Sequence, residues 1–129
     1  MRIFATLTAA AALAAALLTS ASASAAESAQ QAGCPNGPNN PGKDVSVSIV
    51  NNDCWVTQIR GAINTSPAEG HFRFWGPNGD LGVSETKTWD LLQVATKPVN
   101  QNTQPGHLWC VAFIRSNGGQ LGGNTCLTV

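Results

Sequence analysis

The sequence predicts an all-β protein, a small antiparallel β-sandwich or barrel of about six or seven strands held by two disulfides. Three observations predict it. Short runs alternate apolar and polar residues with a period of two, no segment sustains a 3.6-residue apolar period, and clusters of Gly, Pro, Asn and Asp separate the runs. All four cysteines, the 13 Gly and the seven Pro lie beyond an N-terminal segment of different character.

That segment opens with Met1-Arg2, continues as an apolar run from Ile3 to Leu18, and ends in small residues from Thr19 to Ala26. A positive start, an apolar run and Ala-x-Ala sites are the layout of a secretory signal peptide, expected here as residues 1–25. Cleavage is expected after Ala25 or Ala26, with Ala21-Ser22-Ala23 as another site. An uncleaved anchor would need roughly 20 apolar residues and a charged stop after them, and the run has neither. Gln31-Ala32-Gly33-Cys34 partly resembles the end of a lipoprotein signal. However, Gln31 stands where an aliphatic residue is usual, and Glu27 separates Cys34 from the apolar run. The expected location is extracellular, either free or associated with a cell or spore surface, with no membrane span in the mature chain. A flexible lead-in over 26–42 and one β domain over 43–129 complete the expected organisation; about 100 residues is the natural size of one domain.

The elements follow in order. Pro35 to Gly42, with three prolines lacking donors, is expected to hold neither helix nor ladder. Val45 to Val50 alternates as a half-buried strand, Asn51-Asn52-Asp53 turns, and Cys54 to Arg60 returns. Gly61 to Gly70 reads as a loop. His71 to Trp75 is a strand with Phe72 and Phe74 on one face and His71, Arg73 and Trp75 on the other. Gly76-Pro77-Asn78-Gly79-Asp80 is a strong turn, and Leu81 to Trp89 alternates as a fourth strand. Asp90 to Val94 is either a short strand or a helical turn. Ala95 to Gly106 has no hydrophobic periodicity and reads as a connection. Leu108 to Arg115 is a strand with Leu108, Cys110, Ala112 and Ile114 on one face, and Cys126 to Val129 is its partner.

Four cysteines allow three pairings. Cys110 and Cys126 are equally far from Gly118 in Asn117-Gly118-Gly119. A hairpin there brings them face to face, where opposed Cβ atoms sit ~4.5–5.5 Å apart. The expected pairing is therefore Cys110–Cys126, which leaves Cys34–Cys54. Without a Cys-x-x-Cys, and in a secreted chain, zinc is the poorer reading.

Past the leader, six Lys and Arg face seven Asp and Glu with no block of either sign. A nucleic acid or anionic membrane partner would require a basic stripe, so neither is expected. His71 and His107 are the natural acid–base candidates, yet nothing marks a nucleophile, a Gly-x-Ser-x-Gly elbow or a His-x-His metal pair. No catalytic residue, metal or cofactor is assigned. Tryptophan is the more informative set. With no Tyr, Trp55, Trp75, Trp89 and Trp109 are the whole supply of large amphipathic aromatics. An exposed Trp on a sheet is a flat platform with one donor, suited to a sugar ring or a partner surface. The pattern places Trp75 with His71 and Arg73, and Trp109 opposite Cys110. Trp75, Arg73, His71 and Trp109 are the expected binding residues. Thr96-Lys97-Pro98-Val99 is the alternative recognition loop, with Lys97 and Pro98 offered to a protease.

A leader, a cysteine soon after it, Cys54-Trp55-Val56 at a strand start, Cys110-Val111 within a strand and the terminal Cys126 make a pattern. It resembles that of small secreted four-cysteine actinobacterial proteins such as spore-associated protein A. The resemblance covers the frame of the mature chain and leaves His71 to Trp89 without a counterpart. It implies location and architecture and carries no activity. The expected function is a secreted non-catalytic binding module for polysaccharide or cell-envelope polymer. The alternatives are an inhibitor of extracellular hydrolases such as proteases, then a structural spore or cell-surface protein; an enzyme comes last.

Overall fold

The computed structural model describes residues 33–129; the expected leader, its cleavage sites and the first part of the lead-in lie outside them. Nine strands follow in chain order: β1 (Asn39–Asn40), β2 (Val45–Asn52), β3 (Trp55–Ile63), β4 (Ala68–Gly76), β5 (Gly79–Val83), β6 (Lys87–Trp89), β7 (Ala95–Asn102), β8 (Leu108–Arg115) and β9 (Thr125–Thr128). They form two antiparallel sheets, ordered β1-β2-β3-β7 and β5-β4-β8-β9, with β6 also paired to β4. The described residues contain no helix.

The alternation in Val45 to Val50 has the expected cause: Val45, Val47 and Ile49 are buried while the residues between them are half-exposed. Asp53, at φ 51°, makes the tight reversal into β3, a conformation that Asp tolerates in short hairpin turns. From the other sheet, Phe72 and Phe74 of β4 and Trp109, Val111 and Phe113 of β8 point inward and are fully buried. Phe72 meets Phe113 and Trp89 edge-on, with ring centroids 5.0 and 5.1 Å apart. At Gly61 of β3, an added Cβ would lie 2.8 Å from Val111 Cγ1 and 3.0 Å from Phe72 Cδ1. This glycine therefore marks a close approach of the two layers. The buried indoles are satisfied: Trp89 Nε1 donates to the Gly70 carbonyl and Trp109 Nε1 to Thr103 Oγ1.

Four local expectations are corrected. Within the lead-in, Asn39 and Asn40 do form a ladder, pairing with Ser48 and Val47. The prolines flank this pair, and the Pro38 carbonyl still accepts from Ile49 N–H. The segment is also pinned by Asn51, whose Nδ2 donates to the Pro35 carbonyl while its Oδ1 accepts from Gly37 N–H. The loop after Gly61 is shorter than expected, because β3 runs to Ile63 and β4 begins at Ala68. Leu81 to Trp89 is broken into β5 and β6, since the Ser84 hydroxyl takes the Phe72 N–H in place of a ladder carbonyl. Finally, Ala95–Asn102 is a strand on the edge of its sheet.

Cys34–Cys54 and Cys110–Cys126 are the disulfides, as the hairpin argument anticipated. Cys110 and Cys126 stand directly opposite one another, with Cα atoms 4.1 Å apart. The hairpin itself turns around Asn117, where Ile114 meets Gln120. The residues Gly122-Gly123-Asn124 then bulge out and shift the register back to the cysteine pair. Two disulfides fit an oxidising, extracellular type of environment. No helix among the described residues is long and apolar enough to cross a membrane.

Candidate functional site on the outer face of the second sheet

The outward side chains of β4, β8 and the strands beside them stand in rows set by the ladder. Asp80, Trp75, Cys110 and Cys126 form one row, and Val83, Arg73 and Ala112 the next. His71, Ile114 and Gln120 form a third. The disulfide lies beside Trp75 in its row, and Ala112 and Ile114 supply an apolar floor. The turn into β5 rises on one side and the bulged limb after the hairpin rises on the other. Between them is a depression of about 360 Å³ lined by Arg73, Trp75, Gly79, Asp80, Ala112, Ile114, Gln120 and Asn124. That volume is at the lower end of the range for small-molecule sites.

The polar walls are two bonded pairs. Arg73 Nη2 donates to Asp80 Oδ2 at 3.0 Å, and Gln120 Nε2 donates to Asn124 Oδ1 at 2.7 Å. Gly82 N–H donates to Asp80 Oδ1 at 2.7 Å. This backbone bond, then Arg73, and more weakly Lys97, hold the Asp80 carboxyl below its ordinary value of 3.8. Because the shift is downward, the ion pair persists as pH falls and is lost only when pH drops through the lowered value. The Arg73–Asp80 pair should therefore stay closed from neutral pH down to about 3.8 and open only below it. Following the Asp80 carboxyl carbon by NMR across pH would test this. Asp80→Asn should remove the pair while barely moving the Tm, since both partners are more than half exposed.

The structure separates the expected site residues. Trp75 and Arg73 line the depression, and His71 lies one row beyond Arg73 on the same face, opposite Ile114. Trp109 does not belong with them. It is fully buried in the core, so its expected place on a binding surface is corrected. Both faces of β8 are apolar, and the face carrying Trp109 is the one that meets the other sheet. Lys97 and Pro98 are likewise corrected from an exposed loop to positions within β7. Pro98 is tolerated there because this edge strand has a neighbour on one side only. Lys97 shares the inward face with the buried Ala95 and Val99, and its side chain reaches past Gly82 of β5. An inward charge and a proline are both means of blocking an exposed sheet edge from pairing with another chain.

His107 sits far from His71. Its Nδ1 accepts from Gln104 N–H and faces Thr103 Oγ1 at 3.4 Å. His71 pairs with Ile114, seven residues along the chain from His107, which puts the two histidines roughly 23 Å apart. Trp55, 43% exposed, stands on the other sheet, and the face of Trp89 is capped by Lys87 Nζ at 4.3 Å. No three His, Cys, Asp or Glu side chains among the described residues are grouped so as to hold a metal.

Asp80, Gln120, Asn124, Ala112 and Ile114 were not singled out by sequence reasoning. The signal for two of them was present: once Cys110 faces Cys126, Ala112 and Ile114 must share its face and flank Trp75. Gln120 and Asn124 reach the site only through the bulge, which alternation does not reveal. No family model matches the chain, and comparison with curated proteins and with solved structures likewise finds no match.

Proposed function

We propose that this is a secreted, non-catalytic binding module for polysaccharide or cell-envelope polymer. The observation that carries the reading is the half-exposed indole of Trp75 in a shallow depression whose walls are side chains rich in donors and acceptors. A sugar ring offers an apolar face to stack and a rim of hydroxyls to hydrogen-bond, and this arrangement supplies a counterpart to each. The arginine is matched by an aspartate, which favours an uncharged polymer over an anionic one. The two histidines stand too far apart to share one reacting centre, in keeping with a binding role. The inhibitor alternative loses its main support, because Lys97 and Pro98 belong to a strand rather than a protruding loop. A structural spore or cell-surface role would use the same face against a fixed polymer.

The test is depletion. Mature protein is mixed with chitin, cellulose, starch and bacterial cell wall, and the protein left in the supernatant is assayed. Selective, saturable loss to one polymer is expected. Absence of loss to all four would overturn the reading and turn attention to a panel of extracellular proteases.

A further inference from the structure

We infer that the sugar held at Trp75 is a 2-acetamido sugar, as in chitin or the glycan strands of a cell wall. This inference rests on the binding reading above and names its substrate class. Gln120 and Asn124 bond to each other through one amino group and one carbonyl. Whichever way the two amides are turned, one carbonyl and one amino group are left without a partner among the described residues. The pair thus offers a ligand one acceptor and one donor, the complement of a secondary amide. The acetamido group of such a sugar carries that amide together with a methyl. Directly beside Gln120 in its row is Ile114, and Ala112 lies in the next row. The methyl therefore has an apolar floor next to the amide pair, while the ring stacks on Trp75. A hydroxyl in the acetamido position would use neither the floor nor both amide groups. Arg73 on the opposite wall is matched by Asp80, so its guanidinium is not free to draw an acidic sugar instead.

The experiment compares chitotetraose, cellotetraose and the fully deacetylated glucosamine tetramer, which share one β-1,4 linkage and differ at the 2-position. Titrations are read by calorimetry and by tryptophan fluorescence in a Trp55→Phe background, which removes the signal from the other exposed indole. Chitotetraose should bind roughly tenfold or more tightly than the other two, from one buried methyl and two hydrogen bonds in a half-open site. Gln120→Ala with Asn124→Ala should bring chitotetraose down to the cellotetraose level without lowering the Tm, since both residues are exposed. Equal affinity for chitotetraose and cellotetraose, or a preference that survives the double substitution, would overturn this inference and leave the binding reading standing. Binding of none of the three would also overturn this inference, and the depletion assay with starch and cell wall would then decide the binding reading separately.

Discussion

Trp109→Ala is expected to destabilise the domain by about 3–5 kcal/mol, the range for deleting a buried aromatic side chain. The ring is fully buried and packs so closely on Gly76 that a Cβ there would lie 2.9 Å from it. Its removal leaves a cavity between the sheets and takes the indole donor from Thr103 Oγ1, a buried acceptor. Against a typical total of ~5–15 kcal/mol, the loss should lower the Tm by more than about 10 °C in a domain of this size. Trp109→Phe, which keeps most of the volume and loses the hydrogen bond, should fall between the two. Melting followed by circular dichroism decides the matter. An unchanged Tm with weakened polymer binding would return Trp109 to the surface.

Opening Cys110–Cys126 by Cys110→Ala with Cys126→Ala should cost both stability and binding. The bond closes a loop with a sequence separation of 16, for which the chain-entropy account gives about 3 kcal/mol. It also sits in the row of Trp75 and anchors the limb that carries Gln120 and Asn124, so the wall of the depression loosens with it. Cys34→Ala with Cys54→Ala is the informative contrast. That bond spans a similar separation of 20 and pins the lead-in to the other sheet. It should lower the Tm comparably while leaving affinity unchanged below the melting range. Equal loss of affinity in both double variants would detach the site from the Cys110–Cys126 bond.

What could be read from the sequence depended on whether a strand has one wet face. β2 and β4 do, and there alternation correctly set Val45, Val47 and Ile49, or Phe72 and Phe74, toward the core and Trp75 away from it. β8 is central and apolar on both sides, with Cys110 and Ala112 nearly as buried as Val111 and Phe113. Periodicity then cannot say which apolar face meets the other sheet, and Trp109 was misplaced for that reason. β7 failed in the opposite way. Lys97, Pro98 and Asn100 read as a connection, although Pro and Lys are the residues that protect an edge strand. The hairpin symmetry about Gly118 led to the right disulfide through the wrong turn, because two compensating features, a turn at Asn117 and a bulge after Leu121, restore the register. The candidate site was legible in β4 and in the outer face of β8, whereas Gln120 and Asn124 are brought in by that bulge.

If Trp75 on the outer face of the second sheet is the contact with polymer, its substitution alone should release the protein. Wild-type protein and Trp75→Ala are run side by side in the depletion assay against the polymer that wild type selects, with melting curves for both. Trp75 is half-exposed and lies outside the core. Trp75→Ala should therefore keep a near-native Tm and lose binding by about tenfold or more, as for an aromatic anchor worth about 2 kcal/mol. Undiminished depletion by a folded Trp75→Ala protein would contradict that role of Trp75.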